Sequence, residues 1–249
     1  MAMNSYGRHK TPEKDNPLQT TLPPVAVFDL DGTLVDTLPD LTEALNVSLE
    51  SEGLVRVSLN DARNGVGHGA RRMIEYAVTA QGVPAEEERV SRMHARFLEF
   101  YRDNIAVSSR PFPGAETALT VLSERGILLA VCTNKYESFA IELLETLGMA
   151  GRFAAIAGGD TFGVSKPDPL HLTRTVEAAK GGRAVMIGDS NADVGAARAA
   201  GIPSIAVAFG YSTIPVRELG ADALIDHFDE LEAHALQLLE IEAAKPLSA

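Results

Sequence analysis

Val25-Ala26-Val27-Phe28-Asp29-Leu30-Asp31-Gly32-Thr33 is the stretch on which the reading of this chain turns. Four apolar residues follow Pro24 and stop at an Asp-Leu-Asp-Gly run. A short, uninterrupted apolar run suits a strand covered on both faces, as in a parallel sheet. Open α/β sheets bind ligands at the carboxyl ends of such strands. If the chain stays extended there, Asp29 and Asp31 point the same way, and Gly32 permits the turn that follows.

Similar runs recur at Ile127 to Cys132, Ala154 to Ala157, Ala184 to Ile187 and Ser204 to Val207. Helical patterns lie between them, at Tyr136 to Leu147, Asp168 to Ala179 and Asn191 to Ala200. Strand–helix alternation with short connections predicts an α/β fold, a doubly wound parallel sheet with a Rossmann-like core. The first interval breaks the alternation. From Leu38 to about Arg110 the patterns are helical only, with stripes at Leu38, Leu41, Leu45, Leu49 and at Val90, Met93, Phe97, Tyr101. Ser58 with Asp61 resembles an N-terminal cap. About 70 residues is too long for a crossover and predicts a small all-helical cap domain inserted after the first strand. The expected division is a disordered N-terminal tail at 1–24, a core domain at 25–37 and 111–249, and the helical cap at 38–110.

The chain has 249 residues, 45% of them hydrophobic, enough for a core, and a net charge of −12. Acidity argues against nucleic-acid binding, which needs clustered Lys and Arg. It is compatible with an anionic substrate if a metal and one or two lysines set the local field. No apolar run reaches the length of a membrane helix, so no membrane partner is expected. The first 24 residues lack the apolar stretch of a secretory signal. With the single cysteine, Cys132, this points to a reducing, cytoplasmic setting. The oligomeric state is left open.

Four constellations carry chemistry. In the first, one carboxylate of Asp29 and Asp31 can attack phosphorus while its neighbour hands a proton to the leaving oxygen and later takes one from water. The bland alternative is an Asp turn with a helix cap at Asp36. The second is Gly188-Asp189-Ser190-Asn191-Ala192-Asp193, again after an apolar strand. Carboxylates from two strand ends, with a carbonyl and waters, suit Mg²⁺. Asp193, in the first turn of the next helix, reads either as support behind the metal ligands or as a residue favouring the helix dipole. The third, Thr133-Asn134, offers a hydroxyl and backbone N–H groups at a strand end, a phosphate cradle or an ordinary cap. The fourth is Lys166-Pro167-Asp168-Pro169, where a lysine in a stiffened loop can neutralise phosphate and carboxylate together, or can simply be solvated.

In order and spacing these four elements resemble the motifs of the haloacid-dehalogenase-like hydrolase superfamily, from about Val25 to Leu239. The resemblance implies Asp29 as nucleophile forming an aspartyl-phosphate and Asp31 as general acid/base. It implies Mg²⁺ held by Asp29, the Asp31 backbone carbonyl and Asp189. Thr133, the Asn134 amide and Lys166 would hold the phosphoryl oxygens, and a mobile cap would exclude water. An acid at Asp31 favours phosphate esters over the carbon–halogen and phosphonate substrates of relatives that lack it.

Specificity is expected from the cap. Gly65-Val66-Gly67-His68-Gly69-Ala70, followed by Arg71 and Arg72, reads as a glycine turn that closes over the site, with Gly67 and Arg71 as candidate substrate contacts. The alternative is a plain loop with solvated arginines. This stretch, with Phe209-Gly210-Tyr211 and Ala221-Asp222, resembles bacterial phosphoglycolate phosphatases and implies hydrolysis of 2-phosphoglycolate, a small phosphate ester. Rival readings are a phosphatase for a nucleotide, sugar phosphate, amino-sugar phosphate or pyrophosphate, a phosphosugar mutase, a non-catalytic binding module, and a receiver domain, which would need no cap. His94 is expected to be no metal ligand, His171 to lie at the surface, Cys132 to be a buried apolar residue, and Glu86-Glu87-Glu88 to be an acidic first helical turn.

Overall fold

The computed structural model describes residues 22–67 and 69–242. The expected tail therefore falls, for positions 1–21, outside the described residues. In chain order the elements are β1 (Val25–Phe28), β2 (Val35–Asp36), α1 (Leu38–Ser51), α2 (Leu59–Ala62), α3 (Ala70–Ala80), α4 (Glu87–Asp103), β3 (Arg110–Pro111), α5 (Ala115–Glu124), β4 (Leu128–Cys132), α6 (Glu137–Thr146), β5 (Ala155–Ala157), α7 (Pro169–Ala178), β6 (Ala184–Gly188), α8 (Asn191–Ala200), β7 (Ser204–Val207), β8 (Ala223–Ile225) and α9 (Leu231–Leu238).

The main sheet has six strands in the order β5-β4-β1-β6-β7-β8, all parallel. Central β1 pairs with β4 on one side and β6 on the other. All four of its residues are buried because both faces are covered. Val25 and Val27 pack with Leu172, Val176, Ala196 and Ala197 of α7 and α8. Ala26 and Phe28 pack with Leu119, Leu143 and Ala235 of α5, α6 and α9. The fold is thus the doubly wound α/β sheet that strand–helix alternation predicts. The chain runs outward from β1 through β4 to β5, then returns to β6 on β1's other side. That reversal puts the carboxyl ends of β1, β4 and β6 side by side, where such sheets hold ligands.

Helices α1 to α4 occupy the interval between β2 and β3 and pack on one another. Their buried stripes are those of the sequence, Leu41, Leu45 and Leu49 against Val90, Met93, Phe97 and Tyr101. Ser58 and Asp61 form a reciprocal capping box on α2. The two-residue strands β2 and β3 pair antiparallel at the base of this helical unit, Val35 with Pro111 and Asp36 with Arg110. Neither carries enough alternation to be legible in sequence, and the same is true of three-residue β8. Among the described residues no helix is long and apolar enough to cross a membrane.

His171 departs from expectation. It is fully buried rather than at the surface. On α7 it shares the sheet-facing side with Leu172, Thr175 and Val176, the helical spacing of the buried stripe. Burial first, then the Lys166 charge, lowers its pKa to about 4, so the imidazole stays neutral.

Asp40, buried at the start of α1, ties together the two chain segments that join helical unit and core. Its carboxylate accepts hydrogen bonds from the Ser108 amide at 2.9 Å, the Ser109 amide at 2.8 Å and the Ser109 hydroxyl at 2.7 Å. Asp40→Ala leaves these donors without an acceptor, and we expect a loss on the order of 1–3 kcal/mol in urea unfolding. Asp40→Asn, which keeps one carbonyl oxygen, should lose less. Equal stability of all three proteins would show that the clasp contributes nothing.

Candidate active site

Three strand ends deliver the site. Asp29 follows β1, Thr133 follows β4 and Asp189 follows β6. The Asp29 amide still donates to Ile187 O at 2.9 Å, so the sheet ladder fixes its backbone. Its Oδ1 accepts from the Leu30 amide at 2.7 Å and from Lys166 Nζ at 2.8 Å. Lys166 is 4% exposed and also donates to Asp193 Oδ1 at 2.6 Å. Asp193 Oδ2 accepts from the Ser190 amide at 2.9 Å and hydroxyl at 2.6 Å, in a capping box that starts α8. Asp193 is therefore saturated with donors and holds Lys166 in place. Asp189 Oδ1 accepts from the Thr33 hydroxyl at 3.0 Å, and its Oδ2 from the Tyr211 amide at 2.7 Å.

This close approach sets the glycine pattern. At Gly32, with φ of +86°, a Cβ would lie 2.7 Å from Asp189 Oδ2 and 2.7 Å from the Tyr211 ring. At Gly188 it would lie 2.4 Å from Asp193 Cβ.

Asp29, Asp189 and Asp193 can each offer an oxygen within 4.8 Å of the others, and all three are buried. One ammonium, Lys166, answers three carboxylates. Burial, then the charge of Asp193, pushes the Asp29 carboxyl up to about 6, with Lys166 opposing. Burial, then Asp193 and Asp29, pushes Asp189 up to about 8. For Lys166 burial works against the charge, but Asp193 and Asp29 overcome it and raise the pKa. An all-oxygen donor set with surplus negative charge fits a hard divalent cation.

Asp31 turns to a different partner. Both its oxygens accept from Lys135 Nζ, at 3.0 and 3.1 Å, and Oδ1 also accepts from the Thr37 hydroxyl at 2.7 Å. Lys135 is buried and lies 4.6 Å from the centroid of the Tyr101 ring. The sequence reading passed over it, although it directly follows Thr133-Asn134. Thr133 Oγ1 accepts from the Lys135 amide at 3.2 Å. The Asn134 side chain is engaged with two loops. It donates to Gly67 O at 3.1 Å and to Lys166 O at 3.0 Å, and accepts from the Lys166 amide at 2.9 Å. A contact from Asn134 to a phosphoryl oxygen therefore falls to its backbone N–H.

A cavity of about 240 Å³ lies between the strand ends and the helical unit. Asp29, Asp31, Thr133, Asn134 and Lys135 form its floor, while Val66, Gly67, Gly69 and Ala70 come in from the glycine loop. Arg71 borders it too, but its guanidinium pairs with Glu87 at 2.5 Å and Glu75 at 3.4 Å and is 38% exposed. Cys132 is buried beneath, its thiol pushed up to about 11 by burial.

A parallel sheet with an Asp-x-Asp at its central strand end, a lysine-bridged acidic cluster and a helical unit above defines a class of phosphate- or halide-cleaving hydrolases. The match to the family model described as haloacid dehalogenase-like hydrolase runs over residues 26–207, and the chain belongs to that family. It is 49% identical to the phosphoglycolate phosphatase of Mesorhizobium japonicum, over 87% of this chain and 96% of that one. It is 47% identical to that of Agrobacterium fabrum, over 84% and 91%. Among solved structures, a predicted phosphoglycolate phosphatase from Haemophilus somnus superposes with a TM-score of 0.77 at 27% identity, covering 84% of this chain and 96% of the other.

The acidic cluster makes stability depend on pH. Asp29 and Asp189 bind protons more tightly folded than unfolded, so their contribution is full below about pH 4 and is lost as pH rises through about 6 and about 8. Without divalent cation, Tm should fall from pH 5 to pH 8, and Asp189→Asn should flatten the fall. Added divalent cation should raise Tm more at pH 8 than at pH 5. A fall unchanged in Asp189→Asn would assign it to the chain's general acidity instead.

Proposed function

We propose that the chain is a Mg²⁺-dependent phosphatase that hydrolyses 2-phosphoglycolate to glycolate and phosphate. The observation that carries the phosphatase reading is Lys166 bridging Asp29 and Asp193, with Asp29 and Asp31 both lining the cavity. Near-full-length likeness to phosphoglycolate phosphatases supports the substrate. So does cavity size, because about 240 Å³ suits a small ester better than the larger ligands of ordinary binding pockets.

In this reading Asp29, held in one rotation by the Leu30 amide and Lys166, attacks phosphorus with a carboxylate oxygen. The bond from phosphorus to the ester oxygen breaks, its electron pair stays with that oxygen, and Asp31, as general acid, passes it a proton. Water then attacks phosphorus of the aspartyl-phosphate, Asp31 takes the water's proton, and Asp29 is released. Thr133, the Asn134 backbone N–H and Lys166 bind the phosphoryl oxygens. Asp29, Asp189 and the Asp31 carbonyl would hold Mg²⁺, while Asp193 fixes Lys166. When bound, the metal offsets phosphoryl charge and polarises phosphorus for attack.

The segment 38–110 serves as the cap, and its Gly67 loop, stapled by Asn134, keeps bulk water from the intermediate. Gly67 meets the substrate through its backbone. Arg71 lies at the rim, with its guanidinium paired to Glu75 and Glu87. The single buried Cys132 fits a cytoplasmic setting.

Phosphate release should be measured on 2-phosphoglycolate, nucleoside monophosphates, sugar phosphates and pyrophosphate, with Mg²⁺ and then with EDTA. We expect Mg²⁺-dependent turnover with the highest kcat/KM on 2-phosphoglycolate. Asp29→Asn should lose activity by at least roughly a thousandfold. Preference for another ester overturns the substrate, and full activity of Asp29→Asn overturns the mechanism.

A further inference from the structure

The phosphoryl half of a substrate is answered by groups on three strand ends, but nothing in the family motifs answers the other half. Two features of the cavity bear on it. Lys135 brings the only ammonium other than Lys166 that is buried beside this cluster among the described residues. An ammonium has three donors, and two of those on Lys135 go to the two oxygens of Asp31. The other feature is Tyr101. Its ring lies 4.6 Å from Lys135 Nζ, it is 1% exposed, and among the described residues its hydroxyl makes no close hydrogen bond, with Lys135 its polar neighbour. A buried, unpartnered hydroxyl is costly. Here it belongs to a side chain that lines the cavity.

We propose that Lys135 and Tyr101 form the subsite for a carboxylate that the substrate carries on its ester carbon. The inference rests on the phosphatase reading above and assigns the specificity-determining residues of that site.

Position supports the assignment. To receive its proton, the leaving oxygen must lie against Asp31. Lys135 Nζ is 3.0 Å from Asp31 Oδ1 and so borders the place that oxygen must take. A carboxylate two bonds from the leaving oxygen comes within reach of the same ammonium and of the unspent Tyr101 hydroxyl. Leu41, Met73, Phe97 and Phe139 make much of the remaining wall apolar, which suits a short methylene link, while His94, Tyr136 and Ser165 add polar atoms. Arg71 is the alternative cation, but its charge is turned to Glu75 and Glu87 and is partly in solvent. Screening there weakens any grip on a carboxylate.

The test compares two esters with the same phosphoryl group, 2-phosphoglycolate and ethyl phosphate, in which a methyl replaces the carboxylate. Wild-type protein should favour 2-phosphoglycolate in kcat/KM. Lys135→Met should lower activity on both, because Asp31 loses its partner, but on 2-phosphoglycolate by roughly 10–100-fold more. Lys135→Arg should recover part of the preference. Tyr101→Phe removes one oxygen that makes no close hydrogen bond in the free protein, so it should fold as wild type and lose several-fold on 2-phosphoglycolate alone. Arg71→Met should keep the preference. Equal losses on both esters in Lys135→Met, with Tyr101→Phe unchanged, would overturn the subsite and leave the 2-phosphoglycolate reading standing. A wild-type protein that does not discriminate between the esters would overturn both.

Discussion

The buried ammonium of Lys166 is the interaction on which the site depends. It lies between Asp29 at the end of β1 and Asp193 on α8, and so joins the loop before α7 to a central strand end and to a second helix. Removing one member of such a buried pair typically costs about 3–5 kcal/mol, because the remaining charge has no solvent to return to. Three carboxylates around one ammonium still leave negative charge uncompensated. Burial and that imbalance raise the carboxyl pKa values of Asp29 and Asp189, and a charge surplus of this kind suits a divalent cation.

The same logic extends to the contacts between helical unit and sheet. Asp40 gathers the donors of Ser108 and Ser109, and the Tyr211 hydroxyl donates to Asp36 while accepting from the Leu38 amide. Both clasps sit where the chain passes between core and helices. The Tyr211 amide binds Asp189, so one residue links the acidic cluster to the base of the helical unit. Asn134 makes a second link, from the floor of the site to the Gly67 loop. Polar contacts, directional and few, hold the two layers in register over a small cavity.

Lys135 and Arg71 show why burial decides which cation matters. Arg71 sits in a suggestive sequence, but its exposed pairs with Glu75 and Glu87 belong to a type worth about 0–1 kcal/mol. Lys135 sits in an unremarkable sequence, yet it is buried against Asp31 and Tyr101. Burial works against its charge, and Asp31 more than offsets that, so the pKa is raised.

The sequence alone determined the sheet class, the helical interruption and the motif residues Asp29, Asp31, Thr133, Lys166 and Asp189. These are legible because they depend on short-range pattern: an apolar run, then a polar residue at a strand end. The buried stripe of α4 was legible for the same reason, but its last member, Tyr101, read only as core. Tertiary structure alone decided that Asp31 pairs with Lys135, that Asp193 saturates itself on Ser190 and Lys166, and that His171 is buried. Lys135 is 104 positions from Asp31, and no local pattern encodes a partner at that distance. Which ammonium is dry and which is solvated depends on how the layers close over the strand ends, and that is a property of the packed fold.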